Sequence, residues 1–122
     1  MRKPLFHATC LSAIEDEIGW VVGLADRQLD TKRYLQFQRG HVSDAQDQTV
    51  GRESYYVERD DQSNSCYGGI ESIDLGVDTI KLKLDETGSK SLKLDEDVLI
   101  TFDADKQTLD SFRSGLAAVF AG

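Results

Sequence analysis

The chain has 122 residues, with 22 acidic against 14 basic side chains and a formal net charge of −8. That length predicts one domain, 1–122, whose core needs neither metal nor disulfide to fold, and a hydrophobic fraction of 39% argues against disorder. The acidity argues against nucleic acid as a direct partner, which needs a basic stripe, and against an anionic membrane surface.

Leu5 to Ile14 is rich in small and apolar residues and reads as a first strand. Glu15-Asp16-Glu17 marks a turn, and the β-prone run Trp20–Leu24 reads as a second strand, hairpin-paired with the first. Asp26–Lys32 is polar and reads as a loop. From Arg33 to Arg39, Tyr34, Gln36 and Gln38 face one way while Leu35 and Phe37 face the other, the period-two signature of a half-buried strand. Gly40–Gly51 is polar and reads as a long loop. Ser54–Arg59 is the next strand, and Asp60-Asp61-Gln62-Ser63-Asn64-Ser65 has the composition of a pure turn. Cys66–Leu75 resumes a strand in which Gly68-Gly69 suggests a bulge or a close backbone approach. After the turn Gly76-Val77-Asp78 comes the clearest strand, Thr79–Leu84, with Ile80, Leu82 and Leu84 on one face and Lys81 and Lys83 on the other. Thr87-Gly88 within Asp85–Lys90 reads as a hairpin loop, Ser91–Leu94 as its returning arm, and Val98–Phe102 as the last strand. The C-terminal segment places Leu109, Phe112, Leu116, Val119 and Phe120 on one helical stripe, with Asp103 and Asp105 as candidate N-caps. The expected fold is therefore α+β: a largely antiparallel sheet of about six to eight strands packed by one C-terminal amphipathic helix.

Charge is unevenly placed. Residues 1–57 hold eight acids and seven bases, whereas residues 58–122 hold fourteen acids and seven bases. Such an excess serves either a solvated surface or a surface complementary to a basic partner. Cys10 and Cys66 read as two reduced thiols rather than a disulfide framework, which fits the cytoplasm. Arg2 and Lys3 mimic the start of a signal peptide, but the apolar run ends at His7, and no stretch is long enough to span a membrane.

Catalytic constellations are weak. No phosphate-binding glycine loop or nucleophile elbow is present. Cys66 with His41 imitates a nucleophile–base pair only on paper. Asp60-Asp61-Gln62-Ser63-Asn64 lacks the ligand spacing of a calcium loop, so neither a metal nor another cofactor is expected. Trp20 reads as a core residue. Tyr55, Tyr56 and Tyr67 cluster about the acidic run, and an exposed Tyr beside acids and amides is typical of a recognition surface.

Three stretches in order carry a family resemblance: Tyr34-Leu35-Gln36-Phe37-Gln38-Arg39; the run Tyr55-Tyr56-Val57-Glu58-Arg59-Asp60-Asp61-Gln62-Ser63-Asn64-Ser65-Cys66-Tyr67-Gly68-Gly69-Ile70; and Thr79-Ile80-Lys81-Leu82-Lys83-Leu84. Over roughly residues 20–120 they resemble the immunity protein 10 family of bacterial polymorphic toxin systems. The resemblance implies a non-enzymatic cytoplasmic α+β protein, encoded beside a toxin gene, that binds and neutralises the toxin. Many such toxins are nucleases with basic active sites, which suits an acidic inhibitor. The candidate contact residues are Tyr56, Glu58, Asp60, Asp61, Asn64 and Tyr67. Two other classes compete: a housekeeping interaction module without a toxin, and a small enzyme or metal-dependent hydrolase.

Overall fold

A computed structural model describes residues 3–29, 31–40 and 55–120. The expected loop beyond Gly40, Ser54 and His41 of the Cys66–His41 pair lie outside the described residues, so that pair has no geometry.

The α+β class, the mainly antiparallel pairing and the terminal helix are as expected. The strands, however, divide into two sheets. The strands are β1 (His7–Ala8), β2 (Cys10–Glu15), β3 (Gly19–Ala25), β4 (Tyr34–Gly40), β5 (Tyr56–Arg59), β6 (Asp61–Tyr67), β7 (Ile70–Leu75), β8 (Thr79–Leu84) and β9 (Asp97–Phe102). The helices are α1 (Glu86–Leu92) and α2 (Lys106–Phe120). One sheet has the order β2-β3-β4-β5-β6, a meander throughout; the other has the order β1-β9-β8-β7. The parallel pair β1–β9 is the exception to the antiparallel rule. It splits the expected first strand: the chain pairs with β9 through Ala8, then crosses at Thr9 to pair with β3.

Both sheets face one core. Val22, Leu24, Leu35, Phe37 and Val57 come from the five-stranded sheet, and Ile80, Leu82, Leu84, Val98, Ile100 and Phe102 from the other. Helix α2 adds Leu109, Phe112, Leu116 and Val119, the stripe its spacing predicts. It lies on β2 and β3 at Gly115, where a Cβ would come within 2.6 Å of Ala13 Cβ and 2.9 Å of Val22 Cγ2. Asp105 caps this helix by accepting from Thr108 N–H at 2.7 Å, which satisfies one orphan donor. Asp103 does not cap. Its carboxylate instead takes His7 Nε2 at 2.9 Å, and His7 Nδ1 meets Thr101 Oγ1 at 2.7 Å, which clips β1 to the end of β9. At the other end of the helix Arg39 Nη1 donates to the Val119 carbonyl at 2.8 Å.

Three further expectations are corrected. Asp60–Ser65 is not a turn run: only Asp60 turns, with φ of 61°, and β6 begins at Asp61. Ladder bonding to β5 overrides the turn-forming composition here, as sheet context does for weak strand formers. Asp85–Leu94 is not a hairpin but contains α1. Asp85 accepts from Gly88 N–H at 2.7 Å as N-cap, Glu86 pairs with Lys90 at 3.0 Å, and Lys93 closes the helix with φ of 58°. Gly88 suggests a turn because glycine weakens a helix; tertiary contact with Gly69 is what requires it. Gly68 and Gly69, both at positive φ, are the turn that carries the chain from one sheet to the other; of the two readings of this pair, the close backbone approach holds, at Gly69 against Gly88, and the bulge within a strand does not.

Candidate partner-binding site

The alternation that buries one face of the five-stranded sheet turns the other outward. Strand register lays this outer face out in cross-strand rows. One runs Ser12, Gly23, Gln36, Glu58, Ser65; the next runs Ile14, Val21, Gln38, Tyr56, Tyr67; a third begins Cys10, Ala25, Tyr34. Tyrosine, amide and hydroxyl groups dominate, and Glu58 is the one carboxylate among them.

Glu58 sits at the centre and is only 9% exposed. Tyr34 donates its hydroxyl to Glu58 Oε2, and Tyr56 donates to Glu58 Oε1 at 2.8 Å. Both phenols are pushed above their usual pKa, by burial first. The Glu58 carboxylate adds to both shifts, while Ser65 opposes it at Tyr56. Each therefore stays a donor at neutral pH. The Tyr56 and Tyr67 rings pack with centroids 5.2 Å apart, and Tyr67 is 54% exposed. Gly23 lacks a side chain, and a hollow of about 270 Å³ opens there, lined in part by Cys10, Ser12, Tyr34 and Gln36.

The six residues singled out by sequence separate into three settings. Tyr56, Glu58 and Tyr67 share the outer face. Asp61 is exposed at the start of β6, where it accepts from Ser63 N–H at 2.9 Å; that bond holds its carboxyl below the usual range. Asp60 and Asn64 point into the structure. Asp60 accepts from Tyr34 N–H and Arg33 Nε at 2.9 Å each and from Arg59 Nη1 at 2.8 Å. Arg59 in turn donates to the Leu92 and Lys93 carbonyls at the end of α1. Asp60 is thus the node of a brace between β4, β5 and α1. Asn64 Nδ2 reaches the Arg59 carbonyl at 3.4 Å, while its buried Oδ1 has no hydrogen-bond partner among the described residues.

Tyr34, Gln36 and Gln38 were legible as one face of a strand, but not as neighbours of Tyr56 and Glu58. Only the register of β4 against β5 joins them. A second hollow, about 380 Å³, lies between β7 and α2 and is lined mainly by apolar side chains such as Ile73, Leu75, Leu116 and Phe120. Among the described residues no group of three or more His, Cys, Asp or Glu is placed to hold a metal ion, and no helix is long and apolar enough to cross a membrane. Neither a curated relative nor a solved structure matches the chain. The family described as Immunity protein 10 does match, over residues 7–110, a span running from β1 into α2 and containing every residue of the Tyr34–Glu58–Tyr56 cluster. The chain belongs to the immunity protein 10 family.

Proposed function

We propose that this protein binds a cognate bacterial toxin domain in the cytoplasm of the producing cell and neutralises it without catalysis. Membership of an immunity-protein family over residues 7–110 carries this reading, because that family implies a toxin protein as partner. The outer face of the five-stranded sheet is the docking surface. Tyr56 and Tyr67 supply rigid amphipathic contact area, Glu58 a fixed charge, and Asp61 an exposed charge at the rim. Asp60 and Asn64 act by holding the β5–β6 end in shape. A net charge of −8 favours a basic toxin surface such as a nuclease active site.

The test is co-expression with the toxin domain encoded beside this gene, together with binding of the purified pair. Protection from the toxin and a one-to-one complex are expected. Absence of both refutes the reading. Association is expected to slow as salt rises, since steering raises on-rates by about 10–10³-fold; equal on-rates at low and high salt would rule out steering. Tyr67→Ala, at an exposed position, is expected to weaken the complex while leaving the fold intact.

A further inference from the structure

We infer that Tyr34, Glu58 and Tyr56 form a socket for one Lys or Arg side chain of the partner protein. The inference rests on the toxin-binding reading and names the chemical group that the outer face receives.

Hydrogen-bond inventory leads there. Each tyrosine has a single O–H, and both are given to Glu58. The carboxylate has about four lone-pair sites, and the tyrosines use two of them. What remains is a carboxylate with open lone-pair sites, flanked by two phenol oxygens whose own protons are already given to it. An incoming carboxylate or phosphate would meet a like charge there. A neutral amide would leave the charge unmatched. A side chain made only of donors and carrying positive charge satisfies both demands, and Lys and Arg alone are of that kind at neutral pH.

The surroundings agree. Among the described residues, the cross-strand rows of this face contain no Lys or Arg. The hollow above Gly23 lies beside Tyr34 and Gln36, and Gln36 is paired across the strands with Glu58. It offers a lane for the alkyl stem of a long side chain whose charged head reaches the carboxylate. The Tyr56 ring, packed on Tyr67, adds aromatic surface next to the carboxylate that its hydroxyl binds, and aromatic surface favours a cation. A bare metal ion is disfavoured, because among the described residues Glu58 belongs to no group of three or more His, Cys, Asp or Glu placed to hold one.

The first test uses the full chain, isotope-labelled, with n-propylguanidinium and n-butylammonium as side-chain mimics at constant ionic strength. Tetramethylammonium, a cation without N–H donors, is the control. Shift changes centred on Tyr34, Tyr56 and Glu58 with the two donor cations, weak with the control and lost in Glu58→Gln, support the socket. Changes that are absent, centred elsewhere or unaltered in Glu58→Gln overturn it. The second test uses the toxin domain. Glu58→Gln is expected to weaken binding about 30-fold or more, as loss of one partner of a desolvated charge pair does. One Lys→Met or Arg→Met change on the toxin should weaken binding similarly and add nothing further in Glu58→Gln. Equal affinity of Glu58→Gln and the native chain overturns the socket while the toxin-binding reading stands. Failure of the native chain to bind the toxin refutes that reading, and the mimic titration then judges the socket. Should Glu58→Gln fail to fold, the toxin-side scan against the native chain decides: the absence of any single sensitive Lys or Arg overturns the proposal.

Discussion

Gly88→Ala sets helix propensity against tertiary contact, and the two forces predict opposite signs. In an isolated helix the change stabilises by about 1 kcal/mol. Here a Cβ at position 88 would stand 2.2 Å from the Gly69 carbonyl oxygen and 2.9 Å from its carbon. These are backbone atoms of a turn fixed at both ends, so α1 must retreat by about 1 Å to restore ordinary contact. The retreat stretches the Asp85 N–H to Gly69 carbonyl bond, now 3.0 Å, at a cost of about 1–1.5 kcal/mol. It also loosens the packing of Leu92, which is buried on α1, for about another 1–2 kcal/mol. The net expectation is destabilisation by about 2 kcal/mol after the propensity gain. For a chain of 122 residues, an unfolding entropy of about 2.1 cal/mol/K per residue converts this to a fall in Tm of about 8 °C. Urea unfolding followed by far-ultraviolet circular dichroism measures it, with Ser114→Ala on the exposed face of α2 as a control expected to stay within about 0.5 kcal/mol. A Gly88→Ala midpoint equal to or above that of the native chain, at unchanged m, would refute the reasoning.

Three further outcomes are expected. Tyr34 has a raised folded pKa, against about 10 when unfolded. Its stabilising contribution is complete below pH of about 10 and falls as pH climbs toward the folded value, because the unfolded chain loses the proton first. Urea midpoints above about pH 10 should therefore fall less steeply in Tyr34→Phe than in the native chain; identical slopes would show that the phenol is not held by Glu58. Asp60→Asn keeps a residue tolerant of the left-handed backbone but loses the charge that joins Arg33 to Arg59, costing about 1–3 kcal/mol. Asp61→Asn should leave the midpoint where it is, and equal effects at the two positions would contradict the brace. Asp105 has a lowered carboxyl pKa, chiefly through the Thr108 N–H bond. Its stabilisation is present above the unfolded value of about 3.9 and is lost as pH falls, so Asp105→Ala should unfold more easily at neutral pH and show a shallower decline into acid.

Hydrophobic periodicity foretold the elements that bury a face. Leu35 and Phe37, Ile80, Leu82 and Leu84, and the stripe from Leu109 to Val119 all enter the core where their spacing puts them. Periodicity is a local property of the chain, so it survives in the sequence. Three features did not. The turn-rich composition of Asp61–Ser65 hid a strand, because ladder bonds to β5 outweigh intrinsic preference. The Gly88 signal hid a helix, because that glycine answers a contact with Gly69, nineteen positions earlier in the chain. Asp60 and Asp61, adjacent and alike in sequence, differ entirely in role: a positive φ turns the first inward onto two arginines and leaves the second in solvent.

The same division holds for the binding face. The sequence determined by itself the fold class, the uneven acidity and the family, each carried by composition or by runs of neighbouring residues. It also determined that Tyr34, Gln36 and Gln38 share one side of a strand. Tertiary structure alone decided that Tyr34 and Tyr56 close on a single carboxylate. Residues on one strand alternate faces by covalent geometry, but which residues meet across strands depends on register, and register is chosen by the burial of the opposite face.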